Sequence, residues 1–103
     1  MNYEGLTDRE LWELLFQKAE AEMAVYMREL DQLPRAELIM AADEISAMVT
    51  CRAELMALGE NLSREKTLFL LRLEKPLECL SEAWMERRAV HGRALPEPAH
   101  RSI

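Results

Sequence analysis

Cysteine and histidine are nearly missing from this sequence, with two of each in 103 residues. They stand at Cys51, Cys79, His91 and His100, a spacing that matches no zinc-binding pattern. A thiol or hydroxyl nucleophile needs a base held beside it, yet Cys79 would lie ~18 Å from His91 on one helix. Metal binding and nucleophilic catalysis are therefore not expected. No cofactor is implied, and the chain reads as a non-enzyme. Nor does it need a disulfide scaffold, because a chain of ~100 residues buries roughly two-thirds of its unfolded surface unaided. Thiols of this kind suit a reducing cytoplasm.

Other scarcities narrow the field further. The three glycines are isolated, so no glycine-rich loop could cradle a phosphate. Only six residues are aromatic, and β-branched residues are too scattered to build a sheet. No apolar run approaches the ~20 residues of a membrane helix. Met1 to Gly5 lack the basic start of a secretion signal, which again points to the cytoplasm. Thirteen basic side chains against 19 acidic ones give a net charge of −6, which opposes phosphate binding. Acid pairs such as Glu10 with Glu13, or Glu78 with Glu82, lie on faces that look solvated. They lack the desolvation that separates catalytic pKa values.

What is abundant is Leu, Ala, Glu, Met and Arg, all strong helix formers. The chain is expected to be all-α, a compact bundle of about four helices near residues 8–32, 35–58, 64–72 and 76–90. Residues 1–92 form a single domain in this reading, and 93–103 a disordered tail without periodicity. Thr7 and Glu10 make a capping box for the first helix, and Leu6 with Leu11 a hydrophobic staple. Its inward stripe is Leu11, Leu15, Ala19, Met23, Tyr26, Leu30 and Leu33. Pro34 ends that helix and suits the first turn of the second. The second helix is read as inward along Leu38, Ala42, Ile45, Val49, Ala53 and Met56, with a possible break near Thr50 to Arg52. Gly59 is its natural C-cap. Ser63 caps the third helix, which turns Leu68, Leu71 and Phe69 inward. Pro76 opens the fourth, whose inner stripe is Leu77, Leu80 and Trp84 and whose stop is Gly92.

The acidity is local. Asp8 to Leu33 hold seven acids and three bases, whereas Ser63 to His91 hold five acids and six bases. Glu13, Glu20 and Asp31 align as an acidic ridge on the first helix. That ridge is either a solvated face or a mimic of a phosphate backbone for a basic groove. Leu14, Ala21 and Val25 form a second apolar strip on the same helix, displaced from the main one. A helix with two apolar sides is covered twice, by its own domain or by a partner, a second copy of the chain included. These six residues are the candidate partner-binding set.

A DNA-binding reading is the alternative. The third and fourth helices have the lengths of a helix-turn-helix, with Arg64, Lys66, Arg72, Lys75, Arg87 and Arg88 as phosphate contacts. Glu78, Glu82 and Glu86 on the reading helix would repel the backbone.

The order of motifs resembles a family of small uncharacterised helical domains of gut Firmicutes, often on integrative and phage-like elements. The matching stretches are Lys18-Ala19-Glu20-Ala21-Glu22 leading to Leu33-Pro34, and Ala42-Asp43-Glu44-Ile45. Leu70-Leu71-Arg72-Leu73, Pro76-Leu77 and Trp84 follow. The resemblance spans about residues 10–88 and implies a fold and no active site. Arg87, Arg88 and Arg93 depart from the acidic continuation usual there. Its genomic setting implies a role in mobile-element biology. Together these readings suggest a non-enzymatic protein-interaction module, with an inhibitor of a nucleic-acid-handling enzyme, such as an anti-CRISPR protein, as its sharper form.

Overall fold

A computed structural model describes residues 3–94, with side chains as far as Val90. Five α-helices follow one another: α1 (Asp8–Leu30), α2 (Arg35–Met40), α3 (Ala42–Leu58), α4 (Arg64–Leu71) and α5 (Pro76–Ala94). A 3-10 turn at Gly59–Asn61 joins α3 to α4, and no strand occurs among the described residues. The all-α expectation is met.

The start of α1 is built as its sequence indicates. Thr7 Oγ1 accepts from the Glu10 N–H, and Glu10 accepts in return from the Thr7 N–H at 2.8 Å. At the other end the helix tightens, with Gln32 and Leu33 bonding three residues back, so it closes at Leu30. Helix α2 starts at Arg35 as expected, with Pro34 at its N-cap rather than within its first turn.

The expected second helix is two helices. Its break lies at Ala41, not near Thr50 to Arg52. Ala41 has φ −89° and ψ 3°, and its N–H is shared between the carbonyls of Glu37 and Leu38. Beyond the break the inward face differs from the one expected. Ala47, Met48, Cys51 and Leu55 are buried, whereas Ala42, Val49, Ala53 and Met56 are exposed and Leu38 and Ile45 are half-buried. Both sets have helical spacing, because α3 is apolar nearly all round, so periodicity alone could not choose. Neighbouring helices choose. Trp12 of α1 donates its indole N–H to the Leu55 carbonyl at 3.0 Å, and Arg52 pairs with Glu20.

Gly59 closes α3 with φ 54° and ψ −139°, backbone that a side-chain-bearing residue rarely adopts. A Cβ there would meet nothing within 4 Å. Gly59→Ala is thus expected to lose about 1–3 kcal/mol from backbone strain alone. A urea melt reads this directly, and an unchanged midpoint would refute it.

Ser63 caps α4 as expected, accepting from the Lys66 N–H at 3.2 Å. The face of α4 is partly reassigned: Thr67, Leu70 and Leu71 are buried, Leu68 packs against the core, and Phe69 is exposed. Helix α1 sets this orientation by lying alongside α4 and taking its Leu70–Leu71 edge into the core. In α5, Leu77 is fully buried while Leu80 and Trp84 pack on the core. The helix continues through Gly92 to Ala94 instead of stopping, since glycine weakens a helix without ending it. Arg93 and Ala94, expected to begin the tail, thus belong to α5, and the rest of the expected tail, 95–103, lies outside the described residues.

Helix α1 is the spine of the bundle. It packs against α3, α4 and α5, while α3 and α5 pack against each other. The core joins Leu11, Leu15 and Ala19 of α1 to Met48, Cys51 and Leu55 of α3, then to Leu62, Leu70, Leu71 and Leu77.

Candidate protein-interaction surfaces

Three surfaces could carry a partner, and the first is the ridge on α1. Glu13 is exposed and pairs with Arg9 at 3.3 Å. Glu20 is half-buried and joins Arg52 of α3. The same guanidinium lies 5.6 Å from the centre of the Phe16 ring, which stacks on Trp12 at 5.1 Å. Asp31 is exposed and closes the helix as its C-cap. Two of the three carboxylates are thus partnered within the fold, so the ridge is not a row of free charges.

The second strip divides. Leu14 packs against the core, whereas Ala21 and Val25 are exposed and line a groove. Two polar residues of α1 on this side were not singled out by sequence, and they organise its surroundings. Lys18 donates from Nζ to the Leu71 carbonyl at 2.9 Å, capping the C-terminal end of α4. One turn later, Glu22 accepts the N–H groups of Leu77 and Glu78 at 2.7 and 2.8 Å, capping the start of α5. Each charge meets the helix end whose dipole it complements. An i, i+4 Lys/Glu pair beside an apolar strip was the available signal, although it reads equally well as a solvated pair.

The groove encloses about 420 Å³. Ala21, Val25, Tyr26 and Met48 supply its apolar part, and Glu22, Glu29, Glu44, Glu74 and Glu78 bring carboxyl groups to it, with Lys18 and Lys75 as counter-charges. The Tyr26 hydroxyl donates to Glu44 at 2.8 Å. Burial, then the accepting carboxylate, raises the Tyr26 pKa and keeps the phenol protonated. Glu29, Glu74 and Glu78 form no ion pair within the described residues. The groove therefore offers an apolar bed with a surplus of negative charge.

The third surface is the outer face of α3. At ~100° per residue, Ala42, Ser46, Val49, Ala53, Met56 and Ala57 fall in one strip, and all six are exposed. Not one is charged, in a chain whose residues are 31% charged. Val49 and Met56 are 52% and 48% exposed. A helix apolar on both faces is normally covered on both.

Elsewhere, chemistry is thin. Cys51 is buried, and burial raises its thiol pKa away from the reactive thiolate. No group of three or more potential metal ligands occurs among the described residues. No described helix is long and apolar enough to cross a membrane. Of the bases proposed for DNA contact, Arg64 is engaged inside the fold. Its guanidinium donates to the carbonyls of Leu6, Tyr3 and Glu4 and to Asp8 at 2.8–3.3 Å. This fork ties the N-terminal segment to α4. Arg64→Lys is expected to lose about 1–2 kcal/mol, because an ammonium cannot reproduce a planar multi-point clamp. Hydrogen exchange at Glu4 to Leu6 should accelerate in the same variant, and protection equal to wild type would remove the clamp's role.

No protein-family model matches the chain, and no curated protein or solved structure shows significant similarity to it. Its class is therefore defined by its own architecture, all-α with five α-helices among the described residues.

Proposed function

We propose that this chain is a non-enzymatic protein-interaction module, working in the cytoplasm. The observation that carries the reading is the outer face of α3, an exposed helical strip without a single charge. Contiguous apolar patches on a folded chain are often functional, and Val49 and Met56 are the large exposed side chains of this one. The thiols, both free, agree with a reducing setting.

Its sharper form is an inhibitor, carried on a mobile genetic element, of a nucleic-acid-handling enzyme such as a CRISPR effector. Support comes from the groove, whose surplus carboxylates suit a basic surface and would steer its approach. Association would then slow as salt rises.

The test is a comparison between the wild-type chain and Ala53→Glu, immobilised side by side. A specific partner retained by the first and lost by the second supports the module. Equal recovery from both, with each variant folded by circular dichroism, refutes a role for α3. For the inhibitor, Glu29→Lys with Glu74→Lys should relieve inhibition of the target nuclease at low salt, and full inhibition by that variant would exclude the groove.

A further inference from the structure

We infer that the groove between α1, α3 and α5 binds a small organic cation, a molecule with an apolar ring and one ammonium group. The inference goes beyond the protein-partner reading and gives the groove a ligand of its own. Its bed comes first. Ala21 and Val25 lie one turn apart on α1, and the small side chain of Ala21 keeps the bed open. Tyr26 and Met48 bring a phenol ring and a thioether to it. Such groups receive the apolar body of a ligand, and a thioether makes a favourable contact with a ring edge. The walls are already held. Tyr26 ties α1 to Glu44 of α3, and Glu22 ties it to the first turn of α5. A site formed before its ligand arrives loses little of the binding free energy to ordering.

Charge selects the ligand. Five carboxyl groups meet two ammonium groups in the groove. Glu22 is taken by the N–H groups of Leu77 and Glu78, Glu44 by the Tyr26 hydroxyl, and Lys18 by the Leu71 carbonyl. Glu29, Glu74 and Glu78 remain against Lys75, with no ion pair formed by them among the described residues. An anion would be repelled here, and a neutral molecule would gain nothing from the carboxylates. Glu78 is half-buried, so water screens its charge less than that of a fully exposed group.

Size separates a small ligand from a long basic helix. The groove encloses about 420 Å³, room for ~14 water-sized groups at ~30 Å³ each. Along α1 the acidic stretch is bounded by Lys18 at one end and, beside Val25 and Glu29, by Arg28 at the other. These two bases lie ~15 Å apart along the helix. A basic helix laid along α1 would set its own cations against both ends. A ring with a two-carbon amine arm, about twelve non-hydrogen atoms, fits between them. Its dissociation constant is on the order of 1 mM at that size.

Titration of the whole chain with tryptamine, followed by amide NMR shifts, tests the site. The amides of Ala21, Val25 and Met48 should shift together and saturate. Tryptophol, which has a hydroxyl in place of the ammonium, should bind at least about fivefold more weakly. Indole-3-acetate, an anion, should not bind. Spermidine carries charge without a ring and should move these amides no more than sodium chloride of equal ionic strength. Ala21→Phe fills the bed and should abolish saturation while the chain stays helical. Glu29→Gln with Glu74→Gln, both exposed positions, should weaken tryptamine about fivefold and leave tryptophol unchanged. No saturable shift with tryptamine up to about 10 mM overturns the site. Equal binding of tryptophol overturns the selection for a cation, and equal binding of spermidine overturns the role of the apolar bed. A basic protein surface would compete for the same carboxylates, but the titration needs no protein target. Its failure leaves the inhibitor and the outer face of α3 to their own variants.

Discussion

Leu15→Ala should lower stability by about 3–5 kcal/mol, the range for a large aliphatic side chain removed from a packed core. Leu15 is fully buried in α1, in one cluster with side chains of α3, α4 and α5. Its truncation leaves a cavity among packed helices, and none can close it without giving up contacts elsewhere. A domain of this size has roughly 5–15 kcal/mol in total, so the loss is a large share. Each kcal/mol should move the melting temperature by about 4–8 °C. The informative control is Val49→Ala. Helical periodicity puts Val49 in the core just as it does Leu15, but the side chain is half exposed. A cost below about 0.5 kcal/mol is expected there. Equal losses at the two positions, measured by urea denaturation, would mean that α3 is turned the other way.

The second large effect belongs to Glu22. Its carboxylate holds the N–H groups of Leu77 and Glu78 in the first turn of α5, across a sequence gap of more than fifty residues. Glu22→Ala leaves both donors without that partner and is expected to cost about 1–2 kcal/mol. Glu22→Gln keeps one acceptor oxygen and should cost less. The pH dependence has an unusual sign for a capping carboxylate. Burial raises the Glu22 pKa above 4.5, outweighing the two N–H donors that lower it. The folded chain therefore binds this proton more tightly than the unfolded chain does. That stabilising contribution is complete below the ordinary value and is lost as pH rises through the raised one. Subtracting the stability of Glu22→Gln from that of wild type isolates it. The difference should fall from about pH 4 upward and then level off. A difference that grows with pH would show that hydrogen bonding outweighs burial at this carboxylate.

Much of the local architecture was legible before any coordinates. Thr7 with Glu10, Ser63, Gly59 and Pro76 mark helix ends because caps depend on residues adjacent in sequence. The inward stripe of α1 was legible too, since polar residues occupy its other faces and leave periodicity one solution. The break at Ala41 was not, because alanine carries no breaking signal of its own. The candidate surfaces were only half legible. Ala21 and Val25 were singled out and do line the groove, but Glu20 was assigned to an outward ridge and instead pairs with Arg52. The capping roles of Lys18 and Glu22 were not legible because their partners are the carbonyl of Leu71 and the N–H groups of Leu77 and Glu78. Nearly every residue has such backbone groups, so no side-chain pattern announces them.

The scarcity of aromatic and β-branched residues, together with the abundance of helix formers and local capping signals, was enough by itself to indicate an all-α fold and where most of its helices begin. The tertiary structure alone decided which side of α3 faces the core. That helix is apolar around most of its circumference, so its rotation depends on the indole of Trp12, the carboxylate of Glu20 and the packing of α5, all distant in sequence. The same choice exposes the uncharged strip from Ala42 to Ala57. Local pattern specifies a helix and its ends, whereas burial of one face over another is settled by which neighbours arrive to cover it.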